Sequence, residues 1–196
     1  MVSVSKVPCK KCGALILEST ATKNGGLCVP CKSGKRESIE ASKKWHKEQR
    51  ELDRTDPLRK LWSELVHRAH ETDKGFAGFT EAEKQYFAVG LLDGEVYNGG
   101  FDQYFFNSSG SYYQYALAGL KAIDATQSLI ILEKAKQVLF DFEQIPEDTE
   151  KRRAFLRARA SASRSNRLEE LDKEFWKDPD GLATRWQEFA KRWGLV

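Results

Sequence analysis

The chain has 196 residues, of which 40% are hydrophobic and 31% charged, with a formal net charge of +3. That length holds one ordinary domain plus a small module, and the composition excludes fibrous, broadly disordered and secreted disulfide-scaffold classes. The longest aliphatic run, Leu129–Leu132, is far short of the roughly 20 apolar residues of a membrane span, and Met1–Pro8 lacks a signal-peptide core, so a cytoplasmic chain without a membrane partner is expected.

Residues 1–54 carry 12 Lys/Arg against 6 Asp/Glu, and only one of the chain's 22 aromatic residues, Trp45. So few large side chains cannot hold a core by burial alone, and the stretch needs another staple. All four cysteines lie in it, as Cys9-Lys10-Lys11-Cys12 and, after fifteen intervening residues, Cys28-Val29-Pro30-Cys31. Two C-x-x-C pairs at this spacing are the pattern of a structural zinc site. Each pair bites from one tight turn, and four thiolates complete a tetrahedron with no position left for catalysis. One structural Zn2+ per chain on Cys9, Cys12, Cys28 and Cys31 is expected. Disulfides suit a reducing cytosol poorly, and a redox C-x-x-C usually stands alone beside a βαβ pattern that is absent here. Gly13 suits a knuckle that takes positive φ, Ala14–Leu17 reads as a short strand, and Asn24-Gly25-Gly26 as the returning turn. Residues 1–36 thus read as a four-cysteine module similar to zinc-ribbon or treble-clef knuckles. Residues 37–54 read as a charged helical linker, with Trp45 and Leu52 on a narrow stripe.

Residues 55–196 read as a mainly α, compact domain of about six helices. Thr55-Asp56-Pro57 is a start signal, followed by Leu58, Leu61, Trp62, Leu65 and Ala69 at helical spacing. Thr80-Glu81-Ala82-Glu83 is a capping-box pattern. Further apolar stripes are Tyr113, Leu117 and Leu120; Leu132, Ala135, Leu139 and Phe142; and Leu168, Leu171 and Phe175. Asp178-Pro179 opens a last helix with Leu182, Trp186, Phe189 and Trp193. No stretch alternates with period two.

Residues 97–115 hold eight aromatics among nineteen positions. Within them Asn98-Gly99-Gly100 lacks strand-like flanks, so the glycine pair implies a helix-to-helix bend or a close backbone approach. The string Tyr97-Asn98-Gly99-Gly100-Phe101-Asp102-Gln103-Tyr104-Phe105-Phe106-Asn107-Ser108-Ser109-Gly110, followed by Ala118–Ala125 and later by Leu168–Phe175, resembles the bacterial DNA-mimic protein family over about residues 57–193. That resemblance implies a compact helical fold, often dimeric, and a non-enzymatic activity in which an acidic surface imitates DNA phosphates and occupies a DNA-binding protein. A protein partner of that kind, or a toxin, follows for a regulatory or immunity-type role. The motif residues Glu95, Tyr97, Asn98, Gly99, Gly100, Phe101, Asp102, Gln103, Tyr104 and Asn107 are the candidate partner-binding set.

Charge divides this domain. Residues 55–150 carry 8 Lys/Arg against 16 Asp/Glu, whereas residues 151–167 hold seven Lys/Arg and no acid. An alternative function follows: nucleic-acid binding by the basic zinc module and the Arg-rich segment, with Arg152, Arg153, Arg157 and Arg159 on phosphates. Salt bridges from that segment to the acidic block compete with this reading, and Ser161–Asn166 reads as a loop. No phosphate loop, nucleophile elbow or His-Glu-x-x-His occurs. Glu64, His67, His70 and Glu71 could seed a metal site only with a matching second helix, and the polar face of an amphipathic helix accounts for them better. Asn98, Gln103 and Asn107 share no single helical spacing, which favours separate local roles in capping and turns.

Overall fold

A computed structural model describes residues 5–196; Met1–Val4, the start of the stretch searched for a signal peptide, lie outside the described residues. The chain divides after Asp56 into two compact units.

In the first unit, β1 (Lys6–Pro8) and β2 (Leu15–Leu17) form an antiparallel hairpin with Val7 opposite Ile16. Strand alternation turns Ile16 towards the cysteines and leaves Leu15 and Leu17 exposed. A short α1 (Glu18–Lys23), not anticipated from the sequence, precedes the glycine turn, in which Gly25 and Gly26 both take positive φ. The four-residue α2 (Val29–Lys32) is capped by Cys28, whose sulfur accepts from the Cys31 N–H. Then α3 (Arg36–Thr55) runs for 20 residues with none buried. The packed cluster of this unit is Cys9, Cys28 and Cys31 with Ile16 and Leu27 against them.

The second unit is all α: α4 (Pro57–Glu71), α5 (Glu81–Phe106), α6 (Tyr113–Ala122), α7 (Thr126–Phe140), α8 (Thr149–Ala158), α9 (Ala162–Phe175) and α10 (Leu182–Arg192). Leu61 and Leu65 bury the stripe of α4, and Thr80 and Glu83 close the expected capping box of α5. The core gathers around α5, whose Tyr86, Phe87, Leu92, Val96, Phe101, Tyr104 and Phe105 are all buried. None of the described helices is long and apolar enough to cross a membrane.

Three local expectations are corrected. Phe142 is no core residue. After α7, Asp141 turns to φ +52° and Phe142 stands 93% exposed. The Arg164 guanidinium donates to the Leu139 carbonyl and the Asp141 carboxylate, so a cation from α9 satisfies the end of α7. Secondly, Ser161–Asn166 is no loop: Ser161 caps α9 by accepting from the Arg164 N–H. Thirdly, α10 starts at Leu182 after a left-handed Gly181, with the Asp178 carboxylate accepting from the Leu182 N–H, and Trp193 beyond its end is exposed.

Candidate functional site

Two constellations carry chemistry. The first is the cysteine cluster. Cys9 and Cys12 hang on a knuckle in which Gly13, at φ +71°, donates to the Cys9 carbonyl and Cys9 donates to Ala14. Cys28 caps α2 and Cys31 lies in it, three residues on. The four sulfur atoms lie within 4.8 Å of one another, and Cys12 and Cys28 are 3.7 Å apart. A Zn–S bond of about 2.3 Å in a tetrahedron sets an S···S edge of about 3.8 Å, so the donor set fits the ion in chemistry and the Cys12–Cys28 pair matches that edge. All four thiols are free of disulfides. Cys9 accepts from the Cys28 N–H at 3.2 Å, a bond that holds its thiol down at about 6. Cys12, the exposed member, accepts at 2.8 Å from the Arg36 guanidinium, which lowers its pKa. Burial pushes Cys31 up to about 12.

The second constellation is a break inside α5. Gly99 (φ −159°) and Gly100 (φ +76°, ψ −178°) leave helical geometry, which frees backbone groups that a continuous helix would pair. Two side chains one turn apart, Asp172 on α9 and Trp176 just past its end, take them up. The Phe101 N–H donates to the Asp172 carboxylate at 2.8 Å, and the Trp176 indole N–H donates to the Val96 carbonyl at 3.0 Å. A Cβ on Gly100 would come within 2.3 Å of the Asp172 carboxylate, so the glycine serves both the bend and the close approach.

Across the break, one carboxylate ties the two halves of α5 together. Glu95 accepts from the Gln103 amide at 2.6 Å, the Asn107 amide at 3.0 Å and the Ser109 hydroxyl at 2.8 Å. Gln103 and Asn107 therefore share one acceptor and do not have separate roles, contrary to the spacing argument. No spacing rule finds this, because the bend itself brings positions 95 and 103 together.

The motif is split between core and surface. Gly100, Phe101 and Tyr104 are buried, so they build the fold and cannot touch a partner. Tyr97, Asn98, Gly99 and Asp102 are exposed. Tyr97 is 50% exposed and Trp176 43%, and Tyr97 packs edge-on to Phe175 of α9. Burial, with Asp93 and Asp178 nearby, raises the Tyr97 phenol. Burial and the neighbouring Asp178 raise Asp93 to about 6, and burial raises Asp172, with Asp102 and Glu169 adding to the effect. Asp172 and Trp176 are members of this constellation that sequence reasoning did not single out. The only available signal was that a glycine pair inside a helix orphans backbone groups.

The Arg-rich segment is largely consumed within the fold. Arg152, expected on phosphates, is fully buried, and its guanidinium donates to the carbonyls of Phe105, Asn107 and Pro146. A side chain so enclosed cannot reach a nucleic acid. Arg153 pairs with Glu150 and Arg159 with Glu143, while Arg157 lies over the Phe106 ring. Glu64, His67, His70 and Glu71 lie exposed on α4. Among the described residues the cysteines are the one converging group of three or more metal-ligating side chains.

A family model described as DMP19-like protein matches residues 77–193, the stretch that contains the broken helix and α9. No curated protein and no solved structure matches the chain significantly.

Proposed function

We infer a protein-interaction role from the chain's place in the family to which it belongs, the DMP19-like protein family, the DNA-mimic family. From that premise we propose a non-enzymatic, cytoplasmic protein of regulatory or immunity type, whose acidic and aromatic face at the α5 break engages a basic DNA-binding partner. The observation that carries this reading is the break itself. Exposed Tyr97 stands near Asp93 and Asp178, and Asp102 and Glu169, the latter paired with Lys173, stand near the Asp172 carboxylate that caps the break, while Trp176 ties its indole to the Val96 carbonyl. Carboxylates in such an array attract a partner's Lys/Arg face and displace its counterions as phosphates do. Half-exposed aromatics supply the desolvated anchors on which protein interfaces depend. In the same reading, Cys9, Cys12, Cys28 and Cys31 hold one structural Zn2+ that takes the place of a core in the first unit.

The test uses the immobilised full chain and an extract of its host. A retained DNA-binding protein should elute with added duplex DNA or with rising salt, and the double variant Asp102→Lys/Glu169→Lys should retain at least about tenfold less of it. A retained protein that duplex DNA does not displace would refute mimicry.

A second reading, nucleic-acid contact, now rests on the first unit. Lys6, Lys10, Lys11, Lys23, Lys32 and Lys35 are all exposed there, and Glu18 is the acid among residues 5–36. Duplex or single-strand binding by the full chain that vanishes on removal of residues 1–56 would favour it.

A further inference from the structure

We propose that Arg36 is the positioning residue of the cysteine centre: it holds the exposed ligand Cys12 in place, shields it from electrophiles, and ties metal occupancy to the first turn of α3. The inference rests on the reading of the four cysteines as a metal centre.

The four sulfurs are unequal. Cys9, Cys28 and Cys31 are buried, whereas Cys12 faces solvent. A divalent ion with four thiolates carries net negative charge, and its exposed sulfur is where a proton, an oxidant or an alkylating agent arrives first. Arg36 stands at that point. One guanidinium nitrogen, Nη2, donates to Cys12 Sγ at 2.8 Å, and the other, Nη1, donates to Glu40 at 3.0 Å. A planar fork reaches the two acceptors from two separate nitrogens in a fixed geometry, whereas a lysine offers a single nitrogen at the end of a flexible stem.

The position is costly for an arginine unless something negative lies nearby. Arg36 is the first residue of α3, where the helix dipole disfavours a cation, and Lys35 provides no side-chain cap there. Its side chain is 22% exposed, and its Nε is buried without a hydrogen-bond partner. The Lys35 N–H donates to the Pro30 carbonyl, so the turn that carries Arg36 continues directly from the second cysteine pair. The contact to Cys12 therefore joins the first knuckle to the start of α3.

The experiment compares full-length zinc-loaded wild type with Arg36→Gln, Arg36→Lys and, as a control more than two turns further along α3, Lys44→Gln, whose ammonium pairs with Glu48. Three readouts are taken: zinc transfer to a chromophoric chelator, mass-spectrometric mapping of N-ethylmaleimide modification, and hydrogen exchange over residues 36–40. Loss of a partner that orients a metal ligand lowers metal affinity by about 10–100-fold. Arg36→Gln should release zinc faster by a factor in that range, with Cys12 the first thiol modified and exchange over 36–40 no longer responsive to metal. Arg36→Lys should fall between, and Lys44→Gln should match wild type. Failure of Arg36→Gln to hold zinc at all, while Lys44→Gln holds it, has the same meaning. Zinc transfer and Cys12 modification within twofold of wild type in Arg36→Gln would overturn the proposal and leave the metal site standing. Absence of zinc binding by the wild type would overturn both.

Discussion

Asp93 shows what a single side chain reveals about the acidic face. It lies on α5 one turn before Tyr97, half-buried, and burial with the nearby Asp178 raises it to about 6. A carboxyl whose folded pKa lies above its unfolded value holds its proton more tightly in the native state. Its favourable contribution is complete at pH 4 and below and is lost as pH rises through about 6. A shift of about two units corresponds to about 2.7 kcal/mol, which partial exposure reduces to about 1–2 kcal/mol. Asp93→Asn should therefore raise stability at pH 7 by that amount in urea titrations, and the gain should disappear towards pH 4. An unchanged midpoint at pH 7 would sink this account. A residue kept charged against its own fold fits a face that awaits a partner's cation. Arg152 teaches the opposite lesson. Sequence composition placed it in a basic block fit for phosphates, but its buried guanidinium is satisfied by backbone carbonyls. Nothing in a run of arginines distinguishes the one that turns inward.

At the level of the element, α5 is one long helix whose break is written locally and stabilised from a distance. Gly100 occupies a region of backbone space that only glycine enters freely, and a Cβ there would strike the Asp172 carboxylate. Gly100→Ala should destabilise the second unit by about 2–4 kcal/mol, from backbone strain together with loss of the cap on Phe101. Gly94, four residues before the motif's Asn98, has open space around its Cβ position and serves as the control. Gly94→Ala should stabilise by about 0.5–1 kcal/mol, since alanine is the better helix former. Equal effects of the two substitutions in equilibrium unfolding would refute the argument. The bend was legible because a glycine pair in an otherwise helical, aromatic context has few other uses. Its clamps were not. Asp172 and Trp176 sit 71 and 80 positions from their partners, and their service depends on how α9 packs on α5. The stripes of α4 and α9 were legible for the usual reason, apolar residues at helical spacing. Phe142 and Trp193 extended such stripes on paper, but helix ends are set by caps. Arg164 and Asp141 close α7 two residues before the pattern runs out.

The whole molecule is two solutions to the problem of burying enough surface. The second unit packs aromatic helices into a continuous core, whereas the first has little beyond three buried cysteines, Ile16 and Leu27. Charge blocks along the chain foretold this division better than they foretold surfaces, because Arg153, Arg159 and Arg164 neutralise Glu150, Glu143 and Asp141 within the second unit. The clearest consequence concerns metal removal. Without an ion, four thiols drawn within 4.8 Å of one another have only weak mutual contacts to keep them there. The hairpin is too short to be stable alone, and α3 buries no residue that would hold it. Metal-binding free energy is then folding free energy for this unit. Treatment with a strong zinc chelator under reducing conditions should abolish exchange protection from Cys9 to Lys35 and weaken it along α3, while the urea midpoint of the helical unit stays where it was. Persistence of protection at Cys9–Lys35 in the metal-free protein would mean that the first unit has a source of stability other than the ion. Re-addition of one equivalent of Zn2+ should restore protection in a single step, since the tetrahedron forms only when both C-x-x-C pairs close on the same ion.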